Sequence, residues 1–424
     1  MRGMSINTEI VVIGSGPGGA AAAWYLASFG HEVTLIDRSA FPRDKTCGDG
    51  LTPMAVQTLH HMGILEGVMA SGATRLDQAR LTGPLGMQVA VRFEEFVEHQ
   101  FRYALVLPRL VLDETLHRHA LAAGARNVQA AVKHIERSDD RVTAILADGP
   151  EGPLSIEARQ VVISVGANLA LLQKNGFLTR RPRLVRAARQ YYEGVEMEPS
   201  YDFYFDLHLL PGYGWIFPTG GGKANIGAGI YPAFYATRKP ARTLVEEFVA
   251  RRQRQGVLRD ARPSAAIKGF PLRVDFAAER TAGKNWVLIG EAAGLVNPVT
   301  GEGIDLALES GLLAAQIIRE NIAAGRPNHR AYASAIWSRF GPLFNGLNSI
   351  RDMLVNPLLL DYVLWLMGQH RFLARMILGI AQGVQGPQNL FHPLVLLQLL
   401  LPISPRYLWG ELQRGRALSK RLSA

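Results

Sequence analysis

A short apolar strand that runs into a glycine loop and then a helix of small residues restricts the fold of this chain more than any other stretch. Ile10–Ile13 is continuously apolar, Gly14–Gly19 reads GSGPGG, and the helix Ala20–Phe29 opens with four alanines. Glycines at this spacing allow a tight turn and a close approach of backbone to ligand, and they leave the helix N-terminus free to receive a pyrophosphate. A second strand, His31–Asp37, ends in a carboxylate 18 residues past Gly19, where a ribose hydroxyl needs an acceptor. The pattern predicts a βαβ dinucleotide site with Gly14, Gly16, Gly18, Gly19, Asp37 and the adjoining Arg38 as its contacts.

Two further glycine-rich stretches follow, GYGWIFP at Gly212–Pro218 and GEAAGLVNPVTGEGI at Gly290–Ile304. The second separates a flavin site from a nicotinamide one. Glu291 falls at a strand end, where a carboxylate can accept from a ribityl hydroxyl. Gly301, Gly303 and Ile304 fall at a helix N-terminus, whose N–H groups and dipole stabilise negative charge on the flavin N1–C2=O region. The expected cofactor is therefore FAD, held without a covalent bond. Arg109 opens the helix after the third apolar strand, either reaching the FAD pyrophosphate or ribityl chain or standing solvated at the helix end. Cys47, in KTCGDGLTP, either faces the reactive edge of the flavin or is a buried small hydrophobe; Gly48 and Gly50 would let the backbone approach the ring. Tyr213, Trp215 and Phe217 alternate along one strand face that Pro218 ends, as either a core stripe or the wall of an apolar substrate channel. His60 and His61 have no partners at metal spacing, and no metal site is expected.

Composition narrows the class. A charged fraction of 19% against 48% apolar residues excludes wholesale disorder. The single cysteine excludes a disulfide framework and a multi-cysteine metal site, and fits a reducing compartment. The first strand begins too near the N-terminus for a signal peptide, so a cytoplasmic location is expected. The net charge of +10 includes a basic tail, Arg406–Ala424, after a very apolar segment. No nucleic-acid module accompanies it, so nucleic acid is not the expected partner. The tail is either solvated or a peripheral contact with the inner, anionic face of a membrane. The apolar stretches Met353–Met367 and Leu394–Leu401 are interrupted or too short to span one.

Patterning divides the chain. A helix is expected over Met54–Met62, strands between about Ala79 and Leu107, and a helix Pro108–Ala123 with Leu110, Leu112, Leu116, Ala120 and Leu121 on its apolar face. Strands are expected at Val128–Ile135, Val142–Leu146, Ile156–Val165 and Trp286–Ile289, and a helix at Gly303–Glu320. Aromatic-rich strands between Pro182 and Gly269 suggest a second, antiparallel sheet. The fold class is therefore α/β: a discontinuous Rossmann-like nucleotide domain (1–78, 101–181 and 270–326), an inserted antiparallel β-sheet substrate domain (79–100 and 182–269) and C-terminal helices (327–424).

CGDGLTP at Cys47–Pro53, YGWIFP at Tyr213–Pro218 followed by ANIGAG at Ala224–Gly229, and NPVTGEGI at Asn297–Ile304 together resemble the geranylgeranyl reductase family of flavoproteins, within the p-hydroxybenzoate hydroxylase-like fold. The likeness runs over residues 8–325, and CGDGLTP with the tail WGELQRGRALSKRL looks most like the branch of menaquinone side-chain reductases. It implies reduction of isoprenoid double bonds in a prenylated lipid or quinone. It also implies that Tyr213, Trp215, Phe217 and Pro218 line a tunnel beside the isoalloxazine, with Cys47–Gly48 at its reactive edge. A hydride would go to one alkene carbon and a proton, from Cys47, Tyr213 or a bound water, to the other. Two residues depart from the family habit: Asp37 stands where Glu is usual, and Glu291 where Asp is usual. The rivals are a flavin monooxygenase of the same fold and a flavin electron carrier to membrane quinone. Halogenases carry WxWxIP in place of YGWIFP. No second dinucleotide fingerprint appears, so the electron donor is NADPH bound transiently, a ferredoxin or another small carrier.

Overall fold

The structure is a computed structural model that describes residues 4–231, 237–276, 280–326, 329–353 and 356–381. The chain runs through β1 (Met4–Ile13), α1 (Pro17–Ser28), β2 (Val33–Asp37), β3 (Gly50–Leu51), α2 (Pro53–His61), α3 (Leu65–Ala70), β4 (Thr74–Leu76), β5 (Gln78–Thr82), β6 (Gln88–Arg92), β7 (Ala104–Val106) and α4 (Arg109–Ala122). It continues through β8 (Arg126–Gln129), β9 (Ala131–Ser138), β10 (Arg141–Gly149), β11 (Gly152–Ile163), α5 (Leu169–Lys174), β12 (Leu184–Glu193), β13 (Tyr201–Tyr204), β14 (Gly212–Gly220), β15 (Lys223–Ile230) and α6 (Ala241–Arg254). It ends with β16 (Arg262–Pro263), β17 (Lys268–Arg273), β18 (Trp286–Leu288), α7 (Ile304–Ala323), α8 (His329–Met353), α9 (Pro357–Gln369) and α10 (Arg371–Ala381).

The nucleotide sheet has the order β8-β2-β1-β11-β10-β9, with β18 also on β11. The β1–β2, β1–β11, β2–β8 and β11–β18 pairs are parallel. β11 is long enough to hold β10 along its first half and β18 along its second. Ile10–Ile13 is covered on both faces, which is why that run is apolar at every position. Ala20–Ala23 of α1 are fully buried and let α1 lie close between the sheet and α7. The segment expected as one strand over Val128–Ile135 is two: β8 pairs with β2, and the chain turns at Ala130 before β9 pairs with β10.

The second sheet has the order β16-β12-β15-β14-β13-β5-β6, with β17 beside β12. It was expected to be antiparallel; it is mixed, because β5 arrives from the nucleotide domain and pairs parallel with β13. Alternation along β14 divides its faces. Ile216 joins Leu244, Val245 and Phe248 of α6 on one side, while Trp215 and Phe217 join Tyr201 and Phe203 on the other. A small antiparallel sheet, β3-β7-β4, joins the two halves.

The terminal helices cover both parts. Tyr332 of α8 donates its hydroxyl to the Leu288 carbonyl at 2.8 Å, and α9 lays Leu360, Val363 and Leu364 on β6. The acid that interrupts this apolar stretch, Asp361, is buried and accepts the Leu85 and Met87 N–H groups in the β5–β6 turn. No helix among the described residues is long and apolar enough to cross a membrane. Leu394–Leu401 and the basic tail from Arg406 lie outside the described residues.

Candidate active site

A single cavity of about 800 Å³ runs from the β1–α1 loop to the inner face of the second sheet. At one end lie Gly14, Gly16, Gly18, Asp37 and Arg38; in the middle Cys47, Gly48, Gly50, Arg109, Glu291, Gly303 and Ile304; at the far end Tyr213, Trp215 and Phe217. Of the residues expected at the site, Gly19 and Pro218 are not on its wall. Gly19 sits against the Gly14 carbonyl, where its missing side chain lets α1 meet β1, and Pro218 pairs with Ala224 at the end of the β14–β15 hairpin.

The nucleotide end follows from helix physics. α1 begins at Gly16 with no side-chain cap, so its first N–H groups are left for an anion. Asp37 accepts the Ser15 N–H at 2.8 Å and the Ser39 N–H at 2.9 Å, so it shapes the loop while keeping lone pairs for a ribose hydroxyl. The Ser15 hydroxyl and His117 Nδ1 lie 2.7 Å apart, and the His117 ring stacks on Phe41 with centroids 4.2 Å apart. Burial pushes the His117 pKa down, in spite of the nearby Asp37 carboxylate.

Arg109 is neither solvated nor free. It is buried, with Nε 2.5 Å and Nη2 2.7 Å from the two oxygens of Asp113, and Arg43 approaches the same carboxylate at 3.0 Å. Burial opposes the Arg109 charge, but the Asp113 carboxylate outweighs it and pushes the guanidinium pKa up. Two guanidinium groups sharing one carboxylate leave a net positive charge on the cavity wall near Gly16, which suits a pyrophosphate. Arg109, Asp113 and His117 lie four apart on one face of α4, whereas Leu110, expected on the apolar face, is 44% exposed. The sequence reading missed Asp113 and His117, whose signal was their i, i+4 spacing from Arg109, and Arg43, which meets Asp113 from a distant loop and has no spacing to read.

Glu291 follows β18. Its Oε1 accepts the Arg273 N–H at 3.0 Å and its Oε2 points toward Gly166, across the cavity mouth. α7 starts at Gly303, also without a side-chain cap, so its N–H groups face the cavity. Asp305 behind them is buried, accepts the Thr52 hydroxyl at 3.1 Å, and has its pKa pushed up to about 6 by burial. Glu291→Ala removes one charged acceptor worth about 1.5–3 kcal/mol, so FAD affinity is expected to fall about 10- to 100-fold. Fluorescence titration of the apoprotein checks this; unchanged affinity would place the carboxylate away from the cofactor.

At the far end the walls are aromatic. Tyr201 stacks on Phe217 at 4.1 Å, and Phe203 meets both Tyr213 and Phe217 edge-on. The Tyr213 hydroxyl donates to the Thr300 carbonyl and the Tyr231 hydroxyl to the Val299 carbonyl at 2.8 Å. Burial pushes the Tyr213 pKa far up, so its proton is committed to that carbonyl. Tyr201 and Phe203 of β13, which the sequence marks only as strand aromatics, and Tyr231, just past β15, also line the cavity; they come from segments other than β14 and were not expected at the site. Asp49 is fully buried; burial pushes its pKa up to about 6, against hydrogen bonds from Tyr191 and Asn225.

Two uncapped helix N-termini, a ribose-side carboxylate and a cationic wall fit the phosphate, ribose and ring portions of a flavin dinucleotide in one cavity. Fold and cavity define an FAD-dependent oxidoreductase of the p-hydroxybenzoate hydroxylase type. Residues 7–176 match the family described as an FAD binding domain, and residues 185–261 match the geranylgeranyl reductase catalytic domain. A protein named menaquinone reductase from Mycobacterium tuberculosis is 35% identical over 83% of this chain and 85% of its own. A digeranylgeranylglycerophospholipid reductase from Methanothermobacter thermautotrophicus is 30% identical over 76% of this chain and 80% of its own. A geranylgeranyl bacteriochlorophyll reductase-like protein from Thermoplasma acidophilum has the same fold, with a TM-score of 0.80 and 21% identity over 93% of this chain and 99% of its own. The chain belongs to the geranylgeranyl reductase family of flavoproteins.

Proposed function

We propose that this protein reduces isoprenoid C=C bonds of a prenyl lipid or prenylquinone, and that a menaquinone side chain is the substrate class its relatives favour. The observation that carries the reading is the continuity of the cavity: the nucleotide end opens without a partition onto an aromatic wall, with Cys47 and Gly48 between the two. An apolar chain laid along such a wall releases water from apolar surface, which favours binding, and the rings exclude water from the reacting carbons.

Reduced FAD, when bound, supplies the hydride that one alkene carbon takes up. The second carbon needs a proton, and an unactivated alkene needs it placed accurately. Tyr213 holds its proton on the Thr300 carbonyl, so we assign the proton to Cys47 Sγ. Arg109 lines the same cavity and puts a positive group where donation would leave a negative charge. The α7 N-terminus and Arg43 hold the dinucleotide, and Tyr213, Trp215 and Phe217 hold the chain. We assign peripheral contact with the cytoplasmic side of the membrane, where NADPH or a ferredoxin-like carrier would be the donor, to the terminal helices, which expose Trp337, Leu358 and Phe372.

The test is an anaerobic incubation of the dithionite-reduced protein with menaquinone in detergent, followed by mass spectrometry. After the ring is reoxidised to the quinone, a gain of two hydrogens on the side chain for each reduced bond is expected. Oxygen-dependent product or an unaltered chain would replace the reading with an oxygenase or an electron carrier. Cys47→Ser is expected to keep FAD and slow this reduction about 100-fold, the usual size of a general-acid contribution; full activity would make the cysteine a packing residue.

A further inference from the structure

Tyr191 on β12, Asn225 on β15 and Phe217 on β14 are register partners across three strands, so their side chains leave one face of the sheet side by side. Asn225 is fully buried there, among rings, and its amide is completely used. Its orientation follows from one fixed end. An indole N–H can only donate, so the amide oxygen faces Trp215 Nε1, 3.0 Å away. The amide nitrogen must then donate elsewhere, and it does so twice: to the Cys47 carbonyl at 2.8 Å and to Asp49 Oδ2 at 2.7 Å.

Asp49 anchors this amide. The same Oδ2 accepts the Tyr191 hydroxyl at 2.5 Å, Oδ1 accepts the Arg109 N–H at 3.2 Å, and its own carbonyl accepts the Leu107 N–H at 3.0 Å. The residue holds φ at +66°, a conformation that a non-glycine residue keeps only where such contacts impose it. One amide therefore ties the loop that carries Cys47, which belongs to the nucleotide half, to the Trp215 ring of the tunnel wall. Gly48 lies against that wall, and a Cβ there would come within 3.2 Å of Phe217 and 3.4 Å of Trp215 Nε1.

We propose that Asn225, anchored by Asp49, is a positioning residue for alkene reduction: it fixes the Cys47 main chain relative to the Trp215 ring, and so fixes which alkene carbon the thiol meets. The inference rests on the functional reading above. A strand-borne amide suits the task, because a side chain held on a strand places a loop more accurately than the loop's own contacts do.

Asn225→Asp tests it, because the shape and the oxygen facing Trp215 remain while both N–H donors are removed. Turnover of menaquinone per bound flavin is expected to fall at least tenfold, with KM within threefold of wild type and flavin content retained. Because two carboxyl groups then face each other and could prevent folding, the paired exchange Asp49→Asn with Asn225→Asp is measured beside it. The exchange restores a donor–acceptor contact between the two positions but leaves the Cys47 carbonyl without its donor. It is expected to recover the melting temperature and leave turnover per flavin low. Wild-type turnover per flavin in either protein, or a loss confined to KM, would overturn the inference alone. A wild-type protein that leaves menaquinone unreduced overturns the functional reading and takes this inference with it.

Discussion

Gly14→Ala is expected to yield protein with less than a tenth of the wild-type flavin content. Gly14 sits at the exit of β1 with φ +97°, and an added Cβ would lie 2.3 Å from the Ser164 carbonyl oxygen and 2.9 Å from its carbon. Neither side can give way. The Gly14 N–H is held by the Ile36 carbonyl at 2.7 Å, and the Ser164 N–H by the Ile13 carbonyl at 2.8 Å, so the exits of three parallel strands are fixed to one another. Relief would have to move the loop that presents the α1 N-terminus. Gly30→Ala is the control. Gly30 also has a positive φ, +82°, but nothing lies within 4 Å of its missing side chain. That substitution is expected to cost only about 1 kcal/mol of backbone strain and to leave the flavin in place. Absorbance at the flavin band after gel filtration, with the melting temperature, checks both. Full flavin in Gly14→Ala would mean that the loop is more deformable than its hydrogen bonds allow.

What could be read from the sequence is what local chemistry determines. The β1–α1 turn, Asp37 and the uncapped helix start at Gly303 were legible because each role is set by residues within one turn of the chain. The aromatic alternation of Tyr213, Trp215 and Phe217 was legible as a shared face, and that face lines the cavity. Contacts across long separations were not legible. His117 meets Ser15 across 102 residues, and Tyr191 meets Asp49 across 142; neither pair has a spacing to read. On α4 the apolar count misled, because Asp113 is buried through its pairing with two arginines while Leu110 is left outside. The parallel pairing of β5 with β13 escaped for a similar reason: alternation sets the face of a strand, not the direction of its neighbour. The acid in α9 looked like an interruption of an apolar helix, and it serves instead as the acceptor for a turn in the second sheet.

Trp215→Ala is expected to abolish turnover of long prenyl substrates while sparing most of the flavin. The ring is 7% exposed, lies over the bare backbone of Gly227, and meets Tyr213 and Phe217 at centroid distances of 6.1 Å. Its removal costs about 3–5 kcal/mol of packing. It also leaves the Asn225 oxygen without a donor in a dry site, a further cost of about 1–3 kcal/mol. The nucleotide contacts come from α1, β2 and α4, which belong to the other sheet, so cofactor affinity should change far less than turnover. Trp215→Phe separates the two roles of the ring. It keeps most of the apolar surface but cannot donate, so its stability should fall only by the cost of the unpaired Asn225 oxygen, about 1–3 kcal/mol, while turnover per flavin falls toward that of Asn225→Asp. Flavin content, melting temperature and the hydrogens added to the prenyl side chain in a single turnover, counted by mass spectrometry, decide the matter for all three proteins. If Trp215→Ala reduces the side chain at the wild-type rate with normal flavin, the aromatic face is core and the substrate lies elsewhere. If Trp215→Phe is fully active while Trp215→Ala is not, the ring acts by volume alone, and its hydrogen bond to Asn225 carries no part of the reaction.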